Sequence, residues 1–200
     1  MRQVTGRSSK NSENKASIRL ASGGRFFSAS TLGSIAESGE IEVCVDTPRV
    51  TLLPAAMTSS LTAEQALAIV GLAPQVGEVA VYSKSTEERC AAIAIDAAAY
   101  STLSSTFGSR LKLTTPLLSG CQNIINHLAI EVSGEVAYIR YYTPALKLAE
   151  ALEISSPEEL LFYVVNIYDA AAIPAQTPIY IIGEKQYAKQ LKKYYKVICE

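Results

Sequence analysis

The opening pattern of hydrophobic and polar residues predicts short strands joined by turns. Residues 16–20 alternate apolar and polar side chains, as in a half-buried strand, and Gly23-Gly24 predicts a hairpin that returns over residues 25–30. Residues 40–53 alternate in the same way until a proline ends the run. The pattern therefore predicts three antiparallel strands at the start of the fold.

The rest of the first half is predicted to form helices, strands and one inserted hairpin. Thr62 and Asp96 precede the two central helices as N-caps, because their side-chain oxygens can accept hydrogen bonds from free backbone N–H groups. A further helix is predicted to begin at Pro116. The elements are expected at residues 62–71, 78–82, 91–95, 96–107, 110–113 and 115–125.

The second half repeats this order in a shorter form. Ser156-Pro157-Glu158 marks a helix start, with a capping serine, a proline in the first turn and an acid near the positive end of the helix dipole. Strands are expected at residues 127–132, 135–142, 145–152, 178–183 and 196–199, with helices after 156 and over 184–194. Two copies of this order predict an α/β chain with mixed sheets and a duplicated ribonuclease-H-like core.

Length and composition agree with one compact folded domain or with two small lobes. Hydrophobic residues make up 48% of the 200 residues, which is enough for a sizeable core and excludes a mostly disordered protein. Residues 1–15 hold almost nothing to bury, and they are predicted to be a disordered basic tail. We predict a first lobe over 16–126, which carries the inserted hairpin, and a second lobe over 127–200.

Charge and cysteine content indicate which classes of partner and which cellular compartment to expect. The net charge is −1, which argues against nucleic acid, although the basic ends leave a nucleic-acid binder as an alternative. The four cysteines form no CxxC motif, so free thiols in a reducing cytosol are expected. Neither a signal peptide nor a membrane span is predicted. The expectation is a cytoplasmic protein.

The sequence supports no catalytic or metal-binding residue. It contains neither a P-loop nor a dinucleotide-binding glycine motif. His127 is the only imidazole, and its position between a helix and a strand favours a structural role over a hydrolytic triad. The acids that a metal nuclease would need have no evident reason to converge; they are Asp46, Asp96, Glu131 and Asp169.

Several short motifs, in their order and spacing, resemble one bacterial family. They are SIRL at 17–20, TLLP at 51–54, TPLL at 115–118 and the segment 156–184. The chain resembles, over residues 16–199, the uncharacterised domain-of-unknown-function family numbered 3822. The resemblance implies an actin-like ATPase architecture, similar in outline to the cytoplasmic scaffold subunits of pilus and secretion machines. It implies no activity.

An actin-like ATPase places a phosphate-binding hairpin at the first turn of each lobe. Backbone N–H groups approach the phosphates there, and an acid holds the Mg²⁺ shell. In the first lobe the turn has Gly23 and Gly24, but Ser17 and Arg19 stand where an acid is expected. The first phosphate loop is therefore incomplete.

The second lobe keeps more of this pattern. Glu131 and Gly134 supply the acid and one glycine, and Gly183 stands where an adenosine-binding loop would have a Gly-Gly pair. Glu184 follows it and would repel a nucleotide. If ATP with Mg²⁺ binds at all, these glycines and Glu131 are its candidate site; each glycine has a simpler role in a tight turn.

The sequence thus favours a non-catalytic scaffold, a pseudo-ATPase, with an unidentified protein partner or a second copy of itself. The alternative is a nucleotide-binding or hydrolysing member of the actin-like ATPase superfamily, with Glu131 holding the metal shell. Two surfaces are candidates for contacts: Tyr138, Arg140 and Tyr142 on one strand, and the lysines of helix 184–194. The lysines suit an anionic partner or simple solvation.

Overall fold

The computed structural model describes residues 16–25, 39–85, 88–119 and 126–199. Eleven strands and four α-helices lie in these ranges. The strands are β1 Ala16–Leu20, β2 Ile41–Val45, β3 Val50–Pro54, β4 Glu78–Tyr82, β5 Arg89–Asp96, β6 Leu111–Thr114, β7 His127–Ser133, β8 Val136–Tyr142, β9 Leu146–Glu153, β10 Ile179–Ile182 and β11 Val197–Cys199. The helices are α1 Ala63–Ile69, α2 Ala97–Phe107, α3 Pro157–Ala170 and α4 Lys185–Leu191.

The described residues up to 119 are called the first lobe below, and residues 126–199 the second. The second lobe is built on a five-stranded sheet in the order β11-β10-β7-β8-β9. β8 runs antiparallel to both β7 and β9, whereas β10 is parallel to both β7 and β11. This confirms the order of elements predicted for the second half. α3 begins where expected, because the Ser156 hydroxyl accepts a hydrogen bond from the Glu159 backbone N–H.

The first lobe departs from the predicted hairpin. β1 pairs in parallel with β2, and β2 pairs in parallel with β6, so β1 does not begin an antiparallel meander. The reason lies in the turn Ala21–Gly24, which is a 3-10 turn whose Gly23 N–H donates to the Asp46 carbonyl at 2.6 Å. That bond ties the turn to the end of β2. The strand predicted over 25–30 lies almost entirely outside the described residues.

The strand predicted over 40–53 is two strands in different sheets. The chain breaks at Asp46 and Thr47, and β3 then joins a three-stranded antiparallel sheet in the order β3-β5-β4. This sheet contains the inserted hairpin that the sequence predicted. Both predicted N-caps are confirmed, since Thr62 accepts from Gln65 N–H and Asp96 accepts from Ala99 N–H.

The described part of the segment after β6 differs from the predicted helix. A 3-10 turn occupies Pro116–Leu118 in place of the first turn of a helix, and residues 120–125 lie outside the described ranges. The tail 1–15 and Cys121 also lie outside them, whereas Cys44, Cys90 and Cys199 are free. Among the described helices, none has the length and apolar character required to cross a membrane. The lobe boundaries stay a prediction.

The two faces of the five-stranded sheet pack against different layers. Leu128, Ile130 and Ile139 face α3 and α4 and form one core with them. On the opposite face, Val136 and Tyr138 of β8 join the core of the first lobe. The face of β7 and β8 that points away from the helices therefore lies against the first lobe, and polar residues on that face meet its strand ends.

Candidate functional site

An ion cluster joins the lobes where β1, β2 and β7 come together. Arg19 lies near the end of β1, and Asp46 directly follows β2, the parallel neighbour of β1. Glu131 lies on β7, on the sheet face that points away from α3, because side chains alternate along a strand. The topology thus brings one cation and two carboxylates to a single place.

The Arg19 guanidinium bridges the two carboxylates. Its Nε donates to Asp46 Oδ2 at 2.7 Å, and its Nη2 donates to Asp46 Oδ1 at 3.0 Å and to Glu131 Oε1 at 2.8 Å. Ser133 Oγ donates a further bond to Asp46 Oδ2 at 2.7 Å. Asp46 and Glu131 are buried, whereas the Arg19 side chain is 46% exposed. The cluster is closed on its carboxylate side and reaches solvent through the arginine.

The electrostatics of the cluster oppose proton transfer and nucleophilic chemistry. Hydrogen bonds to Asp46 hold the pKa of Arg19 above its ordinary value. Burial, together with the nearby Asp46, raises the pKa of the Cys44 thiol to about 12. A thiol with such a pKa stays protonated at neutral pH, so Cys44 is not an activated nucleophile.

Two buried side chains on β8 add contacts between the lobes. The Tyr138 hydroxyl donates to the Thr47 carbonyl at 3.3 Å, and burial raises its pKa above the ordinary value. Arg140 donates from Nη1 to the Pro116 carbonyl at 2.8 Å, and its Nη2 lies 4.0 Å from Glu131 Oε2. Of the predicted contact strand, Tyr138 and Arg140 are thus buried within the protein and are not available to a partner.

A cleft of about 390 Å³ lies beside the cluster, between the turns Ala21–Gly24 and Ser133–Glu135. Its lining includes both acidic and basic side chains: Arg25, Asp46, Arg49, Glu135 and Glu153. Arg49 is already paired, since its Nε donates to Glu78 Oε2 at 2.8 Å and its Nη2 donates to the other oxygen. Arg25 is therefore the less strongly engaged cation, because its contacts to Glu78 and Gln75 are both 3.4 Å.

The structure brings some of the predicted site residues together and separates others. Glu131 joins the ion cluster, Gly134 lines the cleft, and the backbone of Gly23 bonds to Asp46. Gly24 packs on α2, where an added Cβ would lie 3.0 Å from Ala99 Cβ. Gly183 packs on β7 and is not among the residues that line the cleft.

Asp46 is the residue that sequence reasoning missed. It lies at the centre of the cluster and bonds to Arg19 and Ser133, although no local pattern indicates that it converges with Glu131. The signal would have been a parallel pairing of β1 with β2, because parallel strands end at the same sheet edge. The predicted hairpin instead pairs β1 with residues 25–30, so the parallel pairing with β2 is not expected from the sequence.

The remaining candidates for chemistry have structural positions. His127 is fully buried, stacks on Tyr142 with ring centres 4.9 Å apart and meets the edge of Tyr180 at 5.4 Å. Asp96 caps α2, and Asp169 is exposed on α3. Across residues 16–25, 39–85, 88–119 and 126–199, no three His, Cys, Asp or Glu side chains are grouped as metal ligands would be.

The Arg49–Glu78 pair predicts an acid-dependent loss of stability. Hydrogen bonds from Arg49 lower the pKa of Glu78 from its ordinary 4.5 to about 2. A group with a lowered folded-state pKa stabilises the fold above its unfolded pKa, and that stabilisation is lost as the pH falls through the folded value. We expect Glu78→Gln to flatten the fall in unfolding free energy between about pH 5 and pH 2. Urea titrations at each pH measure it, and an unchanged slope would contradict it.

Comparison with solved structures shows the fold. A Bacteroides thetaiotaomicron protein with an actin-like ATPase fold and unknown function is similar at 15% identity with a TM-score of 0.69; the match covers 80% of this chain and 68% of that one. The chain therefore has an actin-like ATPase fold.

Two more distant similarities were found. One is to the cytoplasmic domain of EpsL, an inner membrane component of the type II secretion system of Vibrio cholerae, at 11% identity, 80% and 68% coverage and a TM-score of 0.40. The other is to the AlfA filament bound to AMPPNP, at 10% identity, 81% and 53% coverage and a TM-score of 0.38. No protein-family model matches the chain, and no curated protein matches it.

Proposed function

We propose that this protein is a non-catalytic actin-like protein, a pseudo-ATPase, that acts as a protein-interaction scaffold in the cytoplasm. The proposal includes membership of the domain-of-unknown-function family 3822, which the motifs resemble. The free, buried thiol of Cys90 supports a reducing compartment. The proposal depends chiefly on the ion cluster between the lobes.

The observation that carries the proposal is the Arg19 guanidinium between Asp46 and Glu131. An actin-like ATPase needs acids at this place to hold the shell of a Mg²⁺ ion. Here a cation of the chain itself already bonds to both carboxylates through three hydrogen bonds of 2.7–3.0 Å, and Arg140 Nη2 lies 4.0 Å from Glu131. Mg²⁺ with a nucleotide would have to displace a bidentate, charge-assisted pair, which is among the stronger polar contacts in proteins.

The charge of the cleft also opposes a polyphosphate. Glu135 and Glu153 line it, whereas Asp46 is paired with Arg19 and Arg49 is paired with Glu78. Arg25, on the exposed side, is the cation with the weaker contacts. A triphosphate would therefore meet net negative charge, and like charges held close together repel. The residues present do not fit ATP with Mg²⁺.

The alternative is a nucleotide-binding member of the same superfamily. The cleft favours it, because it is about 390 Å³ in volume and lies between two glycine-containing turns. In this alternative Glu131 would leave Arg19 to hold the metal shell, and Gly23, Gly24, Gly134 and Gly183 would form the loops. The two functions differ in one measurable property, which is stabilisation of the folded chain by nucleotide.

A thermal-shift titration of the full chain with ATP and ADP, each with Mg²⁺, tests the proposal. A ligand at one hundred times its Kd should stabilise the fold by about 2.7 kcal/mol, which is readily seen as a rise in Tm. We expect no saturable rise with either nucleotide up to millimolar concentration. The measurement is the Tm against nucleotide concentration at constant free Mg²⁺.

The control separates specific binding from general ionic effects. Sodium tripolyphosphate with Mg²⁺ is titrated in parallel, because it carries the charge without the nucleoside. A saturable rise with ATP, absent for tripolyphosphate and abolished by Glu131→Ala, would overturn the proposal in favour of the nucleotide-binding alternative. A rise of equal size with all three ligands would indicate anion binding and would leave hydrolysis unsupported.

A further inference from the structure

One solvent-facing surface of the second lobe combines acidic, apolar and basic residues. α3 and α4 cover the same face of the five-stranded sheet and pack against each other. On α3, Phe162 is 61% exposed and Val165 is 40% exposed. Glu158 and Asp169 are exposed at the two ends of this pair. We call Glu158, Phe162, Val165 and Asp169 the α3 stripe.

The α3 stripe is continuous along the helix. Its residues are spaced four, three and four positions apart, which places them on one side of an α-helix. The side opposite the stripe packs in the core through Leu160, Val164 and Ile167. The stripe extends over about 16 Å at 1.5 Å per residue, and it has an apolar centre with an acid at each end.

α4 and the residues after it carry the opposite charge. The lysines of this segment are all exposed, and they are Lys185, Lys189, Lys192, Lys193 and Lys196. Within the described ranges, no carboxylate lies within salt-bridge distance of them. Tyr194 lies among them and is 66% exposed. We call these five lysines and Tyr194 the α4 surface.

We propose that two copies of this chain dock through this face, with the α3 stripe of each copy on the α4 surface of the other. A two-fold interface needs a self-complementary patch, because residue i of one copy meets residue j of the other and the reverse. The α3 stripe and the α4 surface are complementary in charge, because the acids of one copy would face the lysines of the other. They are also complementary in apolar surface, with Phe162 and Val165 facing Tyr194.

The α3 acids favour a second copy over an extended anion. A membrane of anionic lipids or a nucleic acid would attract the α4 lysines, but it would meet Glu158 and Asp169 on the neighbouring helix. A second copy satisfies both helices at once. Exposed aromatic residues such as Phe162 and Tyr194 are the types that contribute most to protein interfaces, and lysine–carboxylate pairs around them set the orientation.

A second copy of the chain would be a partner of the proposed scaffold, and the dimer rests on the proposed function only in that respect. Nucleotide titration and oligomeric state are separate measurements, so either proposal can fail without the other. The wild-type full chain is first measured by sedimentation equilibrium at about 0.05 M and about 0.5 M salt, because salt screens exposed ion pairs. We expect a monomer–dimer equilibrium whose Kd weakens at least about tenfold at the higher salt.

A pair of charge-reversed variants identifies the surface. The first is Glu158→Lys with Asp169→Lys, which makes the α3 stripe basic. The second is Lys189→Glu with Lys192→Glu, which makes the α4 surface acidic. Each variant alone places like charges together in both halves of the interface, so each should be monomeric. An equal mixture restores opposite charges in both halves, so it should form a heterodimer.

A control and a folding test keep the result interpretable. Glu64→Lys with Lys147→Glu reverses exposed charges on α1 and β9, away from the proposed interface, and should leave the dimer unchanged. Circular dichroism and Tm establish that every variant is folded. A monomeric wild type at low salt would overturn the proposal. So would a dimer that survives both reversals, or folded variants that stay monomeric when mixed.

Discussion

Arg19→Ala is expected to lower the free energy of unfolding by about 2–3 kcal/mol. The substitution removes the cation that pairs with Asp46 and Glu131, and both carboxylates then remain buried without it. Breaking a buried ion pair from one side costs about 3–5 kcal/mol, because the remaining charge is left desolvated. Arg19 itself is 46% exposed, so water entering from its side reduces that cost.

Two further substitutions separate the lost ion pair from lost packing. The double variant Arg19→Ala, Glu131→Gln should be more stable than Arg19→Ala alone, because the second substitution removes one of the two buried negative charges. Arg19→Lys should be intermediate, since an ammonium group cannot reproduce the bidentate contact with Asp46. Urea denaturation at pH 7 gives the unfolding free energy of each variant.

Arg25→Ala is the matched control for this prediction. Arg25 is another arginine near the cleft, but it is half exposed and its two contacts are 3.4 Å long. Exposed pairs of this kind contribute about 0–1 kcal/mol. If Arg19→Ala costs no more than Arg25→Ala, the cluster does not hold the lobes together, and the main support for a pseudo-ATPase is lost.

The second lobe could be predicted from the sequence because its signals are local. Alternating residues mark β7 and β8, and Ser156-Pro157 marks the start of α3. Each successive antiparallel strand is reached through a short turn, so neighbours in sequence are neighbours in the sheet. Propensity, capping and turn chemistry all agree there with the fold.

The first lobe could not be predicted in the same way. Gly23-Gly24 is typical of a two-residue hairpin, but the pairing of β1 is with a strand that begins twenty-one residues after Leu20, at Ile41. Parallel pairing depends on a connection whose direction local patterns do not encode. The break at Asp46 and Thr47 is hidden for the same reason, because no local pattern shows that β3 joins a different sheet from β2.

The ion cluster was half predictable. The sequence indicates Glu131 as an acid beside a turn, and Arg19 as a residue in the place of an acid. Their contact at 2.8 Å joins residues 112 positions apart, and no spacing rule connects them. Asp46 could be placed only from the parallel register, which aligns Leu20 with Val45 and so brings Asp46, the residue after β2, beside Arg19. Tertiary topology, rather than motif, makes the site.

Gly183→Ala is expected to lower the free energy of unfolding by about 2–4 kcal/mol, whether or not any nucleotide binds. Its φ is +145°, a conformation that residues with a side chain rarely adopt. An added Cβ would lie 2.9 Å from Val132 Cβ and 3.1 Å from the Val132 carbonyl oxygen. Backbone strain and overpacking against β7 would therefore act together.

Gly134→Ala isolates the backbone contribution, because Gly134 has a φ of +57° and nothing within 4 Å of its added Cβ. It should cost only about 1 kcal/mol. The difference between the two variants in urea denaturation thus measures the contact of Gly183 with Val132 together with the additional backbone strain at a φ of +145°. A Gly183→Ala variant as stable as Gly134→Ala would show that β7 shifts at Val132 to accommodate the added Cβ. The glycine would then need another explanation, and the alternative function offers one in an adenosine-binding loop.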